Sequence, residues 1–155
     1  MDLIKTNTEK QRSVYSDHKY IRKYYYSKNM SWVLEHIKIM DIVMPGYIIG
    51  AGSTFQGVYV DMIVLPGIRA DKFEHTDEFI KKIYTYCLEL NRLTSPYYHG
   101  DWVLSNMFVD GDTIRMCDWD NVGKHSINEV NEKLYSDLYS AFGDKFKEIY
   151  DTATI

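Results

Sequence analysis

Asp101, Asn106, Asp118 and Asp120 place carboxylate and carboxamide oxygens close together in the sequence. Tyr98-His99-Gly100-Asp101-Trp102-Val103-Leu104-Ser105-Asn106-Met107-Phe108-Val109 carries Asp101 and Asn106, and Asp118-Trp119-Asp120 follows closely. Asn106 offers a neutral amide oxygen and Asp118 a carboxylate, the hard donors that Mg²⁺ prefers. Asp101 is left for a nucleophile. Met107-Phe108-Val109 and Thr113-Ile114-Arg115-Met116-Cys117 read as two short strands joined by Asp110-Gly111-Asp112. Asp-Gly is a strong hairpin signal, and the hairpin would bring Asn106 and Asp118 to the same open end.

The pattern His-Gly-Asp, four residues, Asn, a hairpin and Asp-x-Asp resembles the aminoglycoside phosphotransferase/choline kinase group of the protein-kinase-like superfamily. The matching positions are His99, Gly100, Asp101, Asn106, Asp118 and Asp120. The resemblance implies a minimal kinase-like α+β fold, with a small antiparallel sheet and one helix (residues 1–66) over a reduced helical lobe (67–155). It implies Mg²⁺-dependent transfer of the γ-phosphate of ATP or GTP to a small-molecule hydroxyl or to water. Asp101 would orient the nucleophile and accept its proton, while Asn106 and Asp118 hold metal. Asp120 has two readings, metal ligand or acceptor of backbone hydrogen bonds. His99 would brace the loop. The alternative is a catalytically silent nucleotide-binding module or regulatory partner, which has no need to keep Asp101, Asn106 and Asp118 together.

The elements that must position these residues are legible in outline. Residues 1–12 are polar and read as a frayed start. Ser13–Tyr15 and Lys19–Tyr26 form a hairpin turning at Ser16-Asp17-His18, with Lys23 and Tyr25 on one strand face and Arg22 and Tyr24 on the other. By the resemblance, Lys23 contacts phosphate, with Arg22 as its competitor. Ser27 or Asn29 caps a helix over Met30–Met40, whose single internal acid, Glu35, is the available partner for Lys23. Strands follow at Gly46–Ala51 and Gly57–Leu65, turning at Gly52-Ser53-Thr54. The resemblance makes Met62, Ile63, Val64 and Leu65 the nucleotide-base edge, with backbone groups doing the hydrogen bonding.

Asp71–Leu93 has helical spacing, with Asp77 and Glu78 early and Arg92 late. One last helix spans Ile127–Tyr150, with Gly143 as its kink or break. Its stripe of Val130, Leu134, Leu138 and Phe142 suggests a homodimer or packing on the preceding helix. The chain departs from the family in two ways. No glycine precedes Gly46, so a phosphate-covering glycine loop is missing, and 35 residues follow Asp120, room for about one helix.

Composition sets the outer bounds. A 155-residue chain with 45% hydrophobic and 15% aromatic residues has the means to build a core. A net charge of −4 excludes general nucleic-acid binding, which needs a basic face. No apolar run approaches the roughly 20 residues that span a bilayer. Cys87 and Cys117 lie in apolar patterns without metal spacing and read as free thiols. With no leader pattern at the N-terminus, the expected location is cytoplasmic.

Overall fold

Antiparallel strand pairing builds the first unit. The computed structural model describes residues 2–7, 12–16 and 19–153, and the chain divides into compact units Met1–Val64 and Leu65–Ile155. In the first, β1 (Asp2–Asn7), β2 (Arg12–Ser16), β3 (Tyr20–Tyr25), β4 (Ile48–Thr54) and β5 (Gly57–Ile63) form an antiparallel sheet ordered β1-β2-β3-β5-β4. The N-terminal stretch expected to fray is therefore a strand. Its backbone gains partners by pairing Asp2 with Ser16 and Asn7 with Arg12. The expected turn residues Asp17 and His18 lie outside the described residues.

α1 (Met30–Val43) is capped by Asn29, whose Oδ1 accepts the Trp32 N–H at 3.0 Å, and runs on past Met40. It buries Val33, His36 and Met40. Trp32 packs on Tyr25 of β3, with ring centroids 4.9 Å apart. The β4–β5 turn falls at Phe55-Gln56, not at Gly52–Thr54, because Thr54 pairs with Gly57. Gly52 stays in the strand because the Tyr59 ring lies over it: a Cβ there would meet the Tyr59 hydroxyl at 2.6 Å.

In the second unit, a short strand that the sequence reading omits, β6 (Ile68–Arg69), joins the hairpin of β8 (Met107–Asp110) and β9 (Thr113–Met116). Gly67 makes that possible. Its φ is +103°, and a Cβ would sit 2.4 Å from the Val109 carbonyl oxygen. α2 spans Asp77–Thr94, later than the expected Asp71 start, because Thr76 accepts the Phe79 N–H at 3.2 Å and fixes the first turn there. Phe73, expected inside the helix, instead stacks on Phe79 from the preceding loop.

Gly143, at φ +64°, ends α3 (Ile127–Phe142) and starts α4 (Asp144–Ala153), so two helices stand where one was expected. The stripe of Val130, Leu134, Leu138 and Phe142 is buried. α3 packs on α2 and α4, and Phe142 meets His75 and Phe79 edge-on. The apolar face that suggested a homodimer is thus already covered. Among the described residues, no helix is long and apolar enough to cross a membrane.

Candidate active site

The stretch that carries His99, Asp101 and Asn106 hangs between α2 and the β8–β9 hairpin. At the end of α2, Thr94 Oγ1 donates to the Tyr97 carbonyl at 2.7 Å. Tyr97–Tyr98 form β7, which pairs with β10 (Gly123–Lys124), a contact absent from the sequence reading. This pairing closes the loop containing Asp118 and Asp120 back onto the strand that feeds His99.

His99 is buried and joins both sides of the site. Its Nδ1 accepts the Asp101 N–H at 3.2 Å, so its proton sits on Nε2, which donates to the Cys117 carbonyl 2.7 Å away. Burial is the largest influence on this ring and holds it below the usual imidazole range. The Cys117 carbonyl and the carboxylates of Asp118, Asp101 and Asp120 partly oppose that shift. A neutral imidazole thus ties the backbone of Asp101 to that of the residue before Asp118. The Trp119 ring packs on it, with centroids 4.6 Å apart, and Trp119 Nε1 donates to the Met116 carbonyl at 2.9 Å.

Asn106 joins the same cluster through its side-chain nitrogen. Nδ2 donates to the backbone carbonyl and to Oδ2 of Asp101, each at 3.3 Å. Its carbonyl accepts the Cys117 N–H at 2.8 Å, closing the open end of the hairpin. Asp118 then takes φ +58°, the left-handed region that few side chains adopt and that Asp tolerates better than most. The structure therefore brings together His99, Asp101, Asn106 and Asp118. Asp120, half-buried, is near enough to act on His99.

A residue that sequence reasoning missed anchors this loop from α3. Asp137 Oδ2 accepts the Trp102 backbone N–H at 3.0 Å, and Oδ1 accepts a hydrogen bond from the Lys133 ammonium. The signal was a lone acid on the flank of the buried stripe, between Leu134 and Leu138.

The nucleotide-side candidates lie in the first unit, except for Leu65. Lys23 is 6% exposed and Met62 is buried. Arg22 is committed elsewhere: Nε and Nη2 meet the Asp61 carboxylate at 2.8 and 2.9 Å, and the guanidinium lies over Tyr59. That contact with Asp61 raises its pKa further. Glu35 is exposed, off the buried face of α1, so the expected Lys23–Glu35 ion pair is not among those formed by the described residues. The inward position next to it belongs to His36, stacked on Trp32. At the expected base edge, the Ile63 N–H is already donated to the Tyr47 carbonyl at 3.0 Å. Val64 is exposed and Leu65, in the second unit, is buried.

Among the described residues, no three His, Cys, Asp or Glu side chains form a ready metal cage. The donor set still fits Mg²⁺, which usually takes one or two protein oxygens and leaves the rest to phosphate and water. With its nitrogen turned to Asp101, Asn106 has an amide oxygen to give, and Asp118 has a carboxylate.

No protein-family model and no curated protein sequence matches the chain. Solved structures do. A crystal structure of WbdD shares 15% identity over 88% of this chain and 36% of its own, with a TM-score of 0.60. A further structure, of the bifunctional kinase-methyltransferase WbdD, gives a TM-score of 0.57 over 84% of this chain and 34% of its own, at 15% identity. The Cydia pomonella granulovirus kinase PK-1 is 19% identical over 80% of this chain and 54% of its own, with a TM-score of 0.52. The chain thus spans about a third of WbdD and about half of PK-1. These likenesses define the fold, which is protein-kinase-like.

Proposed function

We propose that the protein is a Mg²⁺-dependent nucleotide-binding phosphotransferase, moving the γ-phosphate of ATP or GTP to a small-molecule hydroxyl or to water. The observation that carries this reading is the Asn106 bridge, which links the backbone and carboxylate of Asp101 through its side chain while its carbonyl closes the hairpin leading to Asp118. Phosphoryl transfer asks the protein chiefly for positioning and charge neutralisation. Mg²⁺ held by Asn106 and Asp118 would supply the latter. Asp101 orients the attacking O–H and takes its proton as the new P–O bond forms and the nucleoside diphosphate leaves. Lys23 contacts phosphate.

A catalytically silent nucleotide-binding module is the second reading, favoured by one observation: Glu35 points to solvent and does not pair with Lys23. Two measurements separate the readings. Mg·ATP or Mg·GTP should raise the melting temperature above that with either component alone, since a ligand bound only to the native state stabilises it. Unchanged melting removes both readings. Stabilisation without release or transfer of phosphate leaves the silent module.

A further inference from the structure

The sheet of the first unit has two outer strands, β1 and β4, and their sequences differ in kind. β1 carries Asp2 and Lys5 and is irregular between Leu3 and Lys5. Charges and bulges are the usual means of keeping a sheet edge from pairing with another. From Ile48 to Gly57, β4 and its turn hold no charged residue and no proline. Its one irregularity lies at the start, between Ile48 and Gly50, and leaves Gly50–Thr54 in unbroken register with β5. Among the described residues, no strand pairs with the far side of that run. Alternate backbone N–H and C=O groups there face away from β5, a row that another strand can meet.

Two large apolar side chains bracket the run. Ile49 is 54% exposed, and Phe55, in the turn, is 100% exposed. Single exposed apolar residues are ordinary. The placing of these two is not, because both stand three residues from Gly52. An antiparallel copy of the strand, related by a twofold axis at Gly52, sets Gly50 opposite Thr54, Ala51 opposite Ser53 and Ile49 beside Phe55. Each apolar side chain then covers its counterpart in the other copy, and no like charges meet. A strand from an unrelated protein would have to bring two apolar groups at that spacing. A second copy of this chain already has them.

We propose that β4 pairs with β4 of a second copy, joining the two five-stranded sheets across a twofold axis at Gly52. The surface is distinct from the α3 stripe, which the fold itself covers. It is also independent of the phosphotransferase reading. The contact is short, so the dimer is a weak one that forms and parts with concentration.

Sedimentation of the whole chain between about 1 and 300 μM should show a reversible monomer–dimer equilibrium. Phe55→Ser removes a side chain that its own chain leaves fully exposed. The melting temperature should therefore hold, while the dimer dissociation constant rises at least about tenfold. Ala51→Lys, a charge on the exposed edge, should act in the same direction. Leu93→Lys, equally exposed but on α2 of the other unit, should leave the equilibrium alone. A mixture of Ala51→Cys and Ser53→Cys proteins reads the register. Oxidation should join one kind to the other in preference to itself, because directly opposed residues on antiparallel strands come within disulfide reach. A chain that stays monomeric at about 300 μM overturns the proposal. So does a dimer that survives both Phe55→Ser and Ala51→Lys, or one whose cysteines link without preference.

Discussion

Two regions hold the chemistry-bearing residues, and they differ in how their charges are tied. Around the β8–β9 hairpin, His99, Asp101, Asn106 and Cys117 are linked by backbone and side-chain hydrogen bonds. In the sheet of the first unit, the expected Lys23–Glu35 pair is replaced by Arg22–Asp61, a cross-strand pair in direct register on β3 and β5. The first arrangement is made by residues within twenty positions of each other. The expected Lys23–Glu35 pair would have depended on which face of a helix looks inward, and that turns by about 100° from one residue to the next. Spacing within a hairpin is therefore a stronger guide than matching one acid to one base across elements.

The largest expected effect tests the hairpin cluster. Asp101→Asn keeps the shape and removes the proposed proton acceptor, so turnover should fall about 10²–10⁴-fold. Nucleotide affinity, read by titration, should change little. Near-normal turnover would make the cluster a scaffold without catalytic purpose.

Next comes His99, which holds the cluster's two backbones together. Replacing it by Leu leaves the Asp101 N–H and the Cys117 carbonyl without their partner, and each buried orphan costs about 1–3 kcal/mol. Its titration gives a sharper sign. The imidazole is pushed below its ordinary 6.5 mainly by burial, so near that pH the unfolded chain binds more protons than the folded one. Its contribution is complete above about 6.5 and is lost as pH falls toward the lowered folded value. Denaturant melts from pH 7.5 to 5 should show this loss, and His99→Gln should flatten it. A wild-type profile unchanged by His99→Gln would mean that the ring does not titrate with folding.

How far the sequence carried the fold follows the same division. His99, Asp101, Asn106 and Asp118 come together as their spacing suggests, and Asn29 and Gly143 act at helix ends as their types allow. The start of α2 shifted because a single threonine cap outweighs the apolar spacing of Phe73. β6 and β10 are only two residues long, and their partners lie far along the chain, so no local period announces them. Asp137 left only a faint signal, an acid beside the buried stripe, for a related reason: its partner is a backbone N–H 35 positions away. Left-handed φ at Asp118 leaves no trace in residue order, since the side chain is Asp whether or not the turn is tight.

The Arg22–Asp61 pair should matter less than His99. Both groups are partly exposed, at 26% and 13%, but the geometry is two-pronged, with Tyr59 beneath. Asp61→Asn is expected to cost about 1–2 kcal/mol, measured by urea unfolding, with nucleotide affinity retained because Lys23, not Arg22, is assigned to phosphate. If nucleotide binding collapsed while stability held, Arg22 would be the phosphate contact and the face assignment on β3 would be reversed.

Glu35→Gln should have the smallest effect of all. An exposed side chain on the outer face of α1 has little to lose, and surface substitutions of this kind usually fall within about 0.5 kcal/mol. Nucleotide affinity and turnover should also stay within about twofold. This substitution is the sharpest test of the contrast between the two regions. If Glu35→Gln left the melting temperature alone but lowered turnover tenfold or more, α1 would have to rotate when nucleotide binds, bringing Glu35 inward to Lys23. The first unit would then be a switch that ligand sets, while the hairpin cluster is built ready-made. If turnover is unchanged, Lys23 works without a helix acid, and His36 with Trp32 and Tyr25 is what fixes that side of α1.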